Sequence, residues 1–257
     1  MGQRGNVQFN MPVQMTPVVK WVIISCVAIW LVLQVVVEKY LLKDLLITGT
    51  LALIPHAVFD SFHFWQLLTY QFVHSFNPFH ILFNMLLLWW LGSELESRWG
   101  SKLFLSYYLA SGIGAGLIYL LVLWVWSLAT GSISAAWTTP VVGASGAVFG
   151  LMLAYGILFG ERIVYFLMVF PMRAKWFVMI LGAVEVATIL NSGIGGSGEA
   201  NLAHLGGLAS GFLFLRAYTW WKQRNWRKRG GGGRRGPGLK LVVNNDKPDG
   251  DGPKYWS

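Results

Sequence analysis

Apolar residues dominate six long stretches of the chain, at roughly 21–37, 79–93, 103–128, 141–160, 174–191 and 200–221, with polar residues gathered between them. A helix needs about 20 apolar residues to cross the hydrocarbon of a bilayer. The pattern therefore predicts an all-α membrane protein, a compact bundle of six transmembrane helices. The second stretch is short and polar at its start, and it is the distribution of charge that retains it. Glycines recur four apart at Gly112/Gly116, Gly146/Gly150, Gly156/Gly160 and Gly207/Gly211, a spacing that lets helix backbones approach closely in lipid. This puts the fourth and sixth helices at the centre of the bundle. No longer period repeats, so the chain has no transporter-like internal duplication.

Composition sharpens this picture. Of 257 residues, 55% are hydrophobic and 12% charged, about half the charge of an ordinary soluble domain. Lys and Arg resist translocation when they flank a span. With the N-terminus in the cytoplasm, Arg4, Lys20, Arg98, Lys102, Arg162, Arg173, Lys175 and the set from Arg216 onward share one side, opposite Lys39 and Lys43. That asymmetry requires an even number of crossings, so both termini are expected in the cytoplasm. The net charge of +9 is concentrated in Lys222 to Arg235, where anionic lipid is the expected partner and nucleic acid is not. No small-residue cleavage site follows the first apolar run, so it is expected to be retained as a span. Cys26 is the single cysteine, which excludes an intrachain disulfide and a cysteine metal site; neither a metal nor a cofactor is expected.

Three segments follow from these patterns. Residues 1–17 form a flexible cytoplasmic lead, 18–221 the membrane domain and 222–257 a basic, Gly-rich tail expected to be disordered. No soluble domain is expected on either side. The connection over residues 38–78 is rich in Leu, Ile, Phe and Trp. It is expected to lie partly in the membrane interface, with Trp65, Tyr70 and Phe72 at headgroup depth.

Three polar stretches interrupt the apolar runs: His80 to Asn84, Gly143 to Gly150 around Ser145, and Asn201 to Gly207 around His204. A serine hydroxyl becomes a competent nucleophile when a base takes its proton, and histidine suits that work near neutral pH. Ser145 and His204 both lie just inside the outer-side start of helices that run in the same direction, so their depths match. Gly146 and Gly207 let those helices touch. Phe149, four residues after Ser145, shares its face and can stack on the imidazole. His80 and Asn84, also four apart, can donate hydrogen bonds to an oxyanion beside the Ser145 N–H. Each residue taken singly has a bland reading, since a serine in a membrane helix bonds a carbonyl one turn back and a lone histidine or asparagine glues helices. Taken together, four polar residues at one depth need a better account. Glu185 lies at mid-depth in the fifth run and reads as a partner-bonded structural acid. Glu199 has a minor claim to be a third catalytic member.

Gly143-x-Ser145-Gly146 with Phe149, His80-x-x-x-Asn84, Glu96-x-Arg98-x-Gly100 and Ala203-His204-x-x-Gly207-x-x-x-Gly211 together resemble the rhomboid family of intramembrane serine proteases, over roughly Trp65 to Leu215. The resemblance implies a six-helix bundle with Ser145 as nucleophile and His204 as general base and acid. It also implies oxyanion donors at His80 and Asn84, support of His204 by Phe149, and cleavage of single-pass membrane proteins near helix-breaking sites. One departure is visible: Trp65 is followed by Gln66 where many members have arginine, so the hydrogen bonds that stiffen the 38–78 connection must be made otherwise. Substrate is expected to enter between the second and fifth helices, past Phe83 and Trp176, with residues 191–198 as a glycine-rich lid. Two rivals remain. One is a non-catalytic rhomboid-like protein that binds membrane helices; the other is a small-solute transporter with His80, Asn84, Glu185 and His204 along its path. The expected location is a bacterial inner membrane. Substrate identity and oligomeric state are not encoded in these patterns.

Overall fold

The structure is a computed structural model that describes residues 14–132, 134–166, 170–193 and 199–228. The chain divides into two units, Met1–Ala217 and Tyr218–Ser257.

In the first unit, Pro17 opens the first helix, where its missing N–H costs nothing. This helix, α1 (Pro17–Ala28), continues in π-helical turns over Ile29–Leu42, and together they make an apolar rod of 26 residues. Three short helices follow in the connection: α2 (Leu46–Leu51), α3 (Pro55–Asp60) and α4 (Gln66–Thr69). Next comes α5 (Pro78–Leu87), which runs through a π-helical turn at Leu88–Gly92 into α6 (Ser93–Trp99). Beyond it lie α7 (Ser101–Thr130), α8 (Ser145–Leu158), α9 (Ala174–Ser192) and α10 (Glu199–Lys228).

Among the described residues, three helical stretches are long and apolar enough to cross a membrane: Pro17–Leu42, Ser101–Thr130 and Ala174–Ser192. The other three expected spans fall on α5 with its continuation, α8 and α10, which are shorter or more polar. These are the helices that carry the polar stretches. A short hairpin departs from the all-α expectation: β1 (Ile163–Phe166) pairs antiparallel with β2 (Phe170–Arg173) between α8 and α9. The run Ile163-Val164-Tyr165-Phe166 is β-branched and aromatic, which favours a strand.

The fold turns on how α8 meets its neighbours. A side chain at Gly207 would fall on the Gly146 carbonyl, so α8 and α10 cross there on bare backbone. Tyr107 on α7 donates to the Gly150 carbonyl at 2.6 Å, and Tyr70 donates to the Gly112 carbonyl at 2.7 Å. Tyr70 is 1% exposed, so its ring is covered by protein and does not meet headgroups: it fills the space between the connection and α7. Trp65 is exposed, and Phe72 is half-buried.

Three buried polar side chains fasten the periphery. Gln66 accepts from Ile54 N at 3.0 Å and donates to the Gly49 and Thr50 carbonyls at 3.2 and 3.3 Å. It thereby supplies the hydrogen bonding that the connection lacks without an arginine. Gln34 on the first helix accepts from His74 N at 2.9 Å and donates to the His74 carbonyl at 2.8 Å. Glu96 on α6 receives Val18 N at 3.1 Å, Val19 N at 3.0 Å, Ser101 Oγ at 2.6 Å and the Thr16 hydroxyl. A single carboxylate thus caps the start of α1 and joins it to the start of α7.

Of the second unit, residues 218–227 and Lys228 are helical, with Trp220, Trp221 and Trp226 exposed and Arg224 over the Trp220 ring at 5.2 Å. Most of the expected lead (residues 1–13), the core of the expected lid (194–198) and most of the expected tail (229–257) lie outside the described residues.

Candidate active site

Ser145 is the first residue of α8, so its hydroxyl and the unpaired N–H groups of the first turn point away from the helix body. The lead into it is pinned. Leu53 and Val141 exchange two backbone hydrogen bonds of 2.9 Å, Gly143 N donates to the Tyr70 carbonyl at 3.0 Å and Ala144 N donates to His74 Nε2 at 3.4 Å. Gly143 has φ +121°, which glycine tolerates, and a Cβ there would lie 3.0 Å from His80 Cε1 and Nε2. The turn therefore needs glycine twice over, for its backbone angle and for the closeness of the imidazole.

His204 on α10 brings its Nε2 to 2.8 Å from Ser145 Oγ. The Phe149 ring stacks on the imidazole with centroids 4.3 Å apart and planes 10° from parallel. The other ring nitrogen, Nδ1, lies 3.0 Å from Glu185 Oε1 on α9, and Glu185 Oε2 accepts from the Asn201 amide. A carboxylate can only accept, so Nδ1 carries the ring hydrogen and Nε2 presents its lone pair to the serine hydroxyl.

His80 and Asn84 on α5 face the same place. Ser75 N donates to His80 Nδ1 at 3.3 Å, which leaves the His80 ring hydrogen on Nε2, the atom beside Gly143. Asn84 spends one amide hydrogen on the His80 carbonyl at 2.8 Å and keeps the other. A cavity of about 360 Å³ is lined by His80, Phe83, Asn84, Ser145, Phe149 and His204, with Asn77, Phe79, Leu87 and Val148. Its walls are mostly apolar, with His80, Asn84, Ser145 and His204 among the polar groups that line it, the usual make-up of a ligand site.

Among the residues expected from sequence, Ser145, His204, His80, Asn84 and Phe149 come together, and Gly143, Gly146 and Gly207 lie at their contacts. Gly211 is one turn further along α10, where a Cβ would meet Gly150 Cα at 3.2 Å. Phe83 lines the cavity. Trp176 does not: it sits in the first turn of α9 with Lys175 Nζ 5.9 Å from its ring centre. At 1.5 Å per residue, it is roughly 13 Å along the helix from Glu185. Sequence reasoning also missed the contact of Glu185 with His204. The available signal was a mid-span acid together with Asn201 and His204 three apart on one helix face. The Glu199 side chain lies outside the described residues, and among the described residues no group of three or more His, Cys, Asp or Glu could hold a metal ion.

Comparison with known proteins adds an independent line. A family model described as Rhomboid domain matches residues 61–221. Rhomboid protease GlpG of Yersinia pestis (strain Pestoides F) is 29% identical over 241 residues, covering 87% of this chain and 73% of that protein. GlpG of Yersinia pseudotuberculosis (serotype IB, strain PB1/+) aligns to the same extent. RHOMBOID-like protein 4 of Arabidopsis thaliana is 32% identical over 188 residues, 68% of this chain and 38% of that protein.

Proposed function

Since the chain belongs to the rhomboid family, we propose that it is an intramembrane serine endopeptidase that hydrolyses peptide bonds of single-pass transmembrane helical substrates through Ser145 and His204. The observation that carries this reading is the 2.8 Å approach of Ser145 Oγ to His204 Nε2 in the wall of a cavity. The protein is read as a multi-pass inner-membrane bundle of six helices with both termini in the cytoplasm. Its basic segment from Lys222 meets anionic headgroups.

In this mechanism His204 Nε2 takes the hydroxyl proton as Ser145 Oγ bonds to the scissile carbonyl carbon. The carbonyl electron pair moves onto oxygen, where the Ser145 N–H, His80 Nε2–H and the free Asn84 amide hydrogen receive it. Collapse breaks the C–N bond, and the proton on Nε2 passes to the departing amine. Water then repeats the sequence on the acyl-serine, releasing the acid and returning the proton to Oγ. The length of α8 supports a buried reaction: its 14 residues span roughly 21 Å of a hydrocarbon layer about 30 Å thick. With its far end at one surface, Ser145 lies below the other. A substrate helix must unwind locally to expose its bond there, and Phe83 at the cavity wall is the residue it passes.

The test is cleavage of a single-span model substrate in proteoliposomes by the wild type, Ser145→Ala and His204→Ala. Both variants are expected to fall to background, at least ~1,000-fold below wild type, with fluorophosphonate labelling lost in parallel. Cleavage that survives Ser145→Ala overturns the assignment. A wild type that binds the substrate helix and never cuts it supports the non-catalytic rival.

A further inference from the structure

The geometry points to Glu185 as a positioning residue that extends the Ser145–His204 pair to a hydrogen-bonded row of three side chains, an inference that rests on the protease reading above. Glu185 is a glutamate in the apolar helix α9, 9% exposed. Both its oxygens are occupied, Oε1 by His204 Nδ1 at 3.0 Å and Oε2 by the Asn201 amide. Asn201 and His204 are three apart on α10, so the carboxylate reads one face of that helix with both oxygens.

This arrangement does two things. It fixes which ring nitrogen carries hydrogen: with Nδ1–H held by Glu185, only Nε2 is left to receive the Ser145 proton. It also holds the ring in one of its two orientations. Stacking on Phe149 is kept when the imidazole flips by half a turn about its Cβ–Cγ bond, which would replace each nitrogen by a carbon; a hydrogen bond on Nδ1 selects the orientation that leaves Nε2 at Ser145. During the reaction Ser145 loses its proton to Nε2 and the imidazole becomes a cation. The Glu185 charge then faces that cation across one hydrogen bond, in surroundings with little water to screen it. The carboxylate neither gains nor loses a proton in the cycle. It stabilises the protonated ring more than the neutral one, and so acts on the transition state rather than on substrate binding.

A structural role, joining α9 to α10 and nothing more, predicts a different outcome. Glu185 does not line the cavity, so KM is expected to stay within about twofold in either case, and kcat separates the two roles. Glu185→Ala, Glu185→Gln and Glu185→Asp are compared with wild type and Ser145→Ala for kcat and KM on the model substrate, for fluorophosphonate labelling rate and for thermal unfolding. Glu185→Gln keeps an acceptor for Nδ1–H and removes the charge; Glu185→Asp keeps the charge on a shorter arm. Glu185→Ala is expected to lower kcat about 100-fold, within the range for loss of acid–base assistance, and to slow labelling in proportion. Glu185→Gln is expected to fall in between, and Glu185→Asp to recover part of the loss. Wild-type kcat per folded molecule in Glu185→Gln and Glu185→Ala, with Ser145→Ala silent, overturns the positioning role and leaves Glu185 as a helix fastener. Cleavage persisting in Ser145→Ala instead overturns the underlying protease assignment, so the two failures are told apart.

Discussion

Glu185 and Glu96 are both buried carboxylates on helices of an apolar protein, and they differ in the company they keep. Glu96 is surrounded by neutral donors, two backbone N–H groups and two hydroxyls, all belonging to the starts of α1 and α7. Nothing in that cluster can exchange a proton near neutral pH, and nothing in it borders the cavity at Ser145. Glu185 bonds an amide and an imidazole, and the imidazole goes on to a hydroxyl at a cavity wall. Burying a carboxylate is costly unless it is fully hydrogen-bonded, and both sites meet that condition. The difference lies in whether the partners end there or lead to an open surface. The first arrangement makes a joint; the second orients the imidazole that faces the Ser145 hydroxyl.

The contrast breaks most sharply where stability and activity are made to separate. After the loss of cleavage in Ser145→Ala, the largest effect is expected from Gly207→Val. Its side chain would fall on the Gly146 carbonyl and push α8 from α10, the helices that bear Ser145 and His204. Overpacking of this kind costs about 3 kcal/mol, and here activity per folded molecule should fall as well, because the reacting atoms part. Thermal unfolding and labelling of the folded fraction measure the two losses. A variant that loses stability and keeps full labelling would show that the pair does not depend on this crossing.

Much of this was legible in the sequence because the chemistry is repeated in types that apolar spans otherwise exclude. Ser145, His80, Asn84 and His204 stand out among leucines, and the glycine spacing indicates which helices touch. What could not be read depended on contacts between helices whose rotation the sequence leaves open. Glu185 read as a partner-bonded structural acid with its partners unidentified, because they lie on α10, sixteen and nineteen residues on. Trp176 looked like a gate because apolarity marks the fifth span without marking which of its turns reaches the cavity. Tyr70 looked interfacial because aromatic residues suit headgroups, whereas its hydroxyl finds the Gly112 carbonyl inside the protein. The hairpin β1–β2 was hidden in a connection that hydropathy passes over.

Glu96 gives the next effect, opposite in kind to that of Glu185. Burial alone would push its carboxyl up, but hydrogen bonds from Ser101, Thr16, Val19 and Val18 outweigh this and hold it below the ordinary value of 4.5. A depressed carboxyl stabilises the fold fully above the unfolded value, and the contribution is lost as pH falls through the folded one. Glu96→Gln is therefore expected to cost about 2 kcal/mol at neutral pH and to flatten the decline in stability on acidification below about pH 4.5. Cleavage per folded molecule should remain at the wild-type level. Unfolding midpoints between about pH 3 and 7 test this, and an equal loss in Glu96→Gln and wild type across that range would remove Glu96 from the account.

The smallest effect is expected at Gln66, where the joint is made of neutral groups alone. Gln66 is fully buried and serves three backbone groups of the 38–78 connection, Ile54 N and the Gly49 and Thr50 carbonyls. Gln66→Ala leaves those groups to water or to one another, and hydrogen bonds of this kind contribute about 1 kcal/mol in net. No charge is involved, so the loss should be the same from neutral to mildly acidic pH, unlike that of Glu96. Gln66 does not line the cavity, so kcat should hold, while amides around residues 49–54 exchange hydrogen faster than in wild type. A fall in kcat with unchanged exchange would mean that this connection acts on the Ser145 turn directly. The backbone pair between Leu53 and Val141 is the route such coupling would have to take.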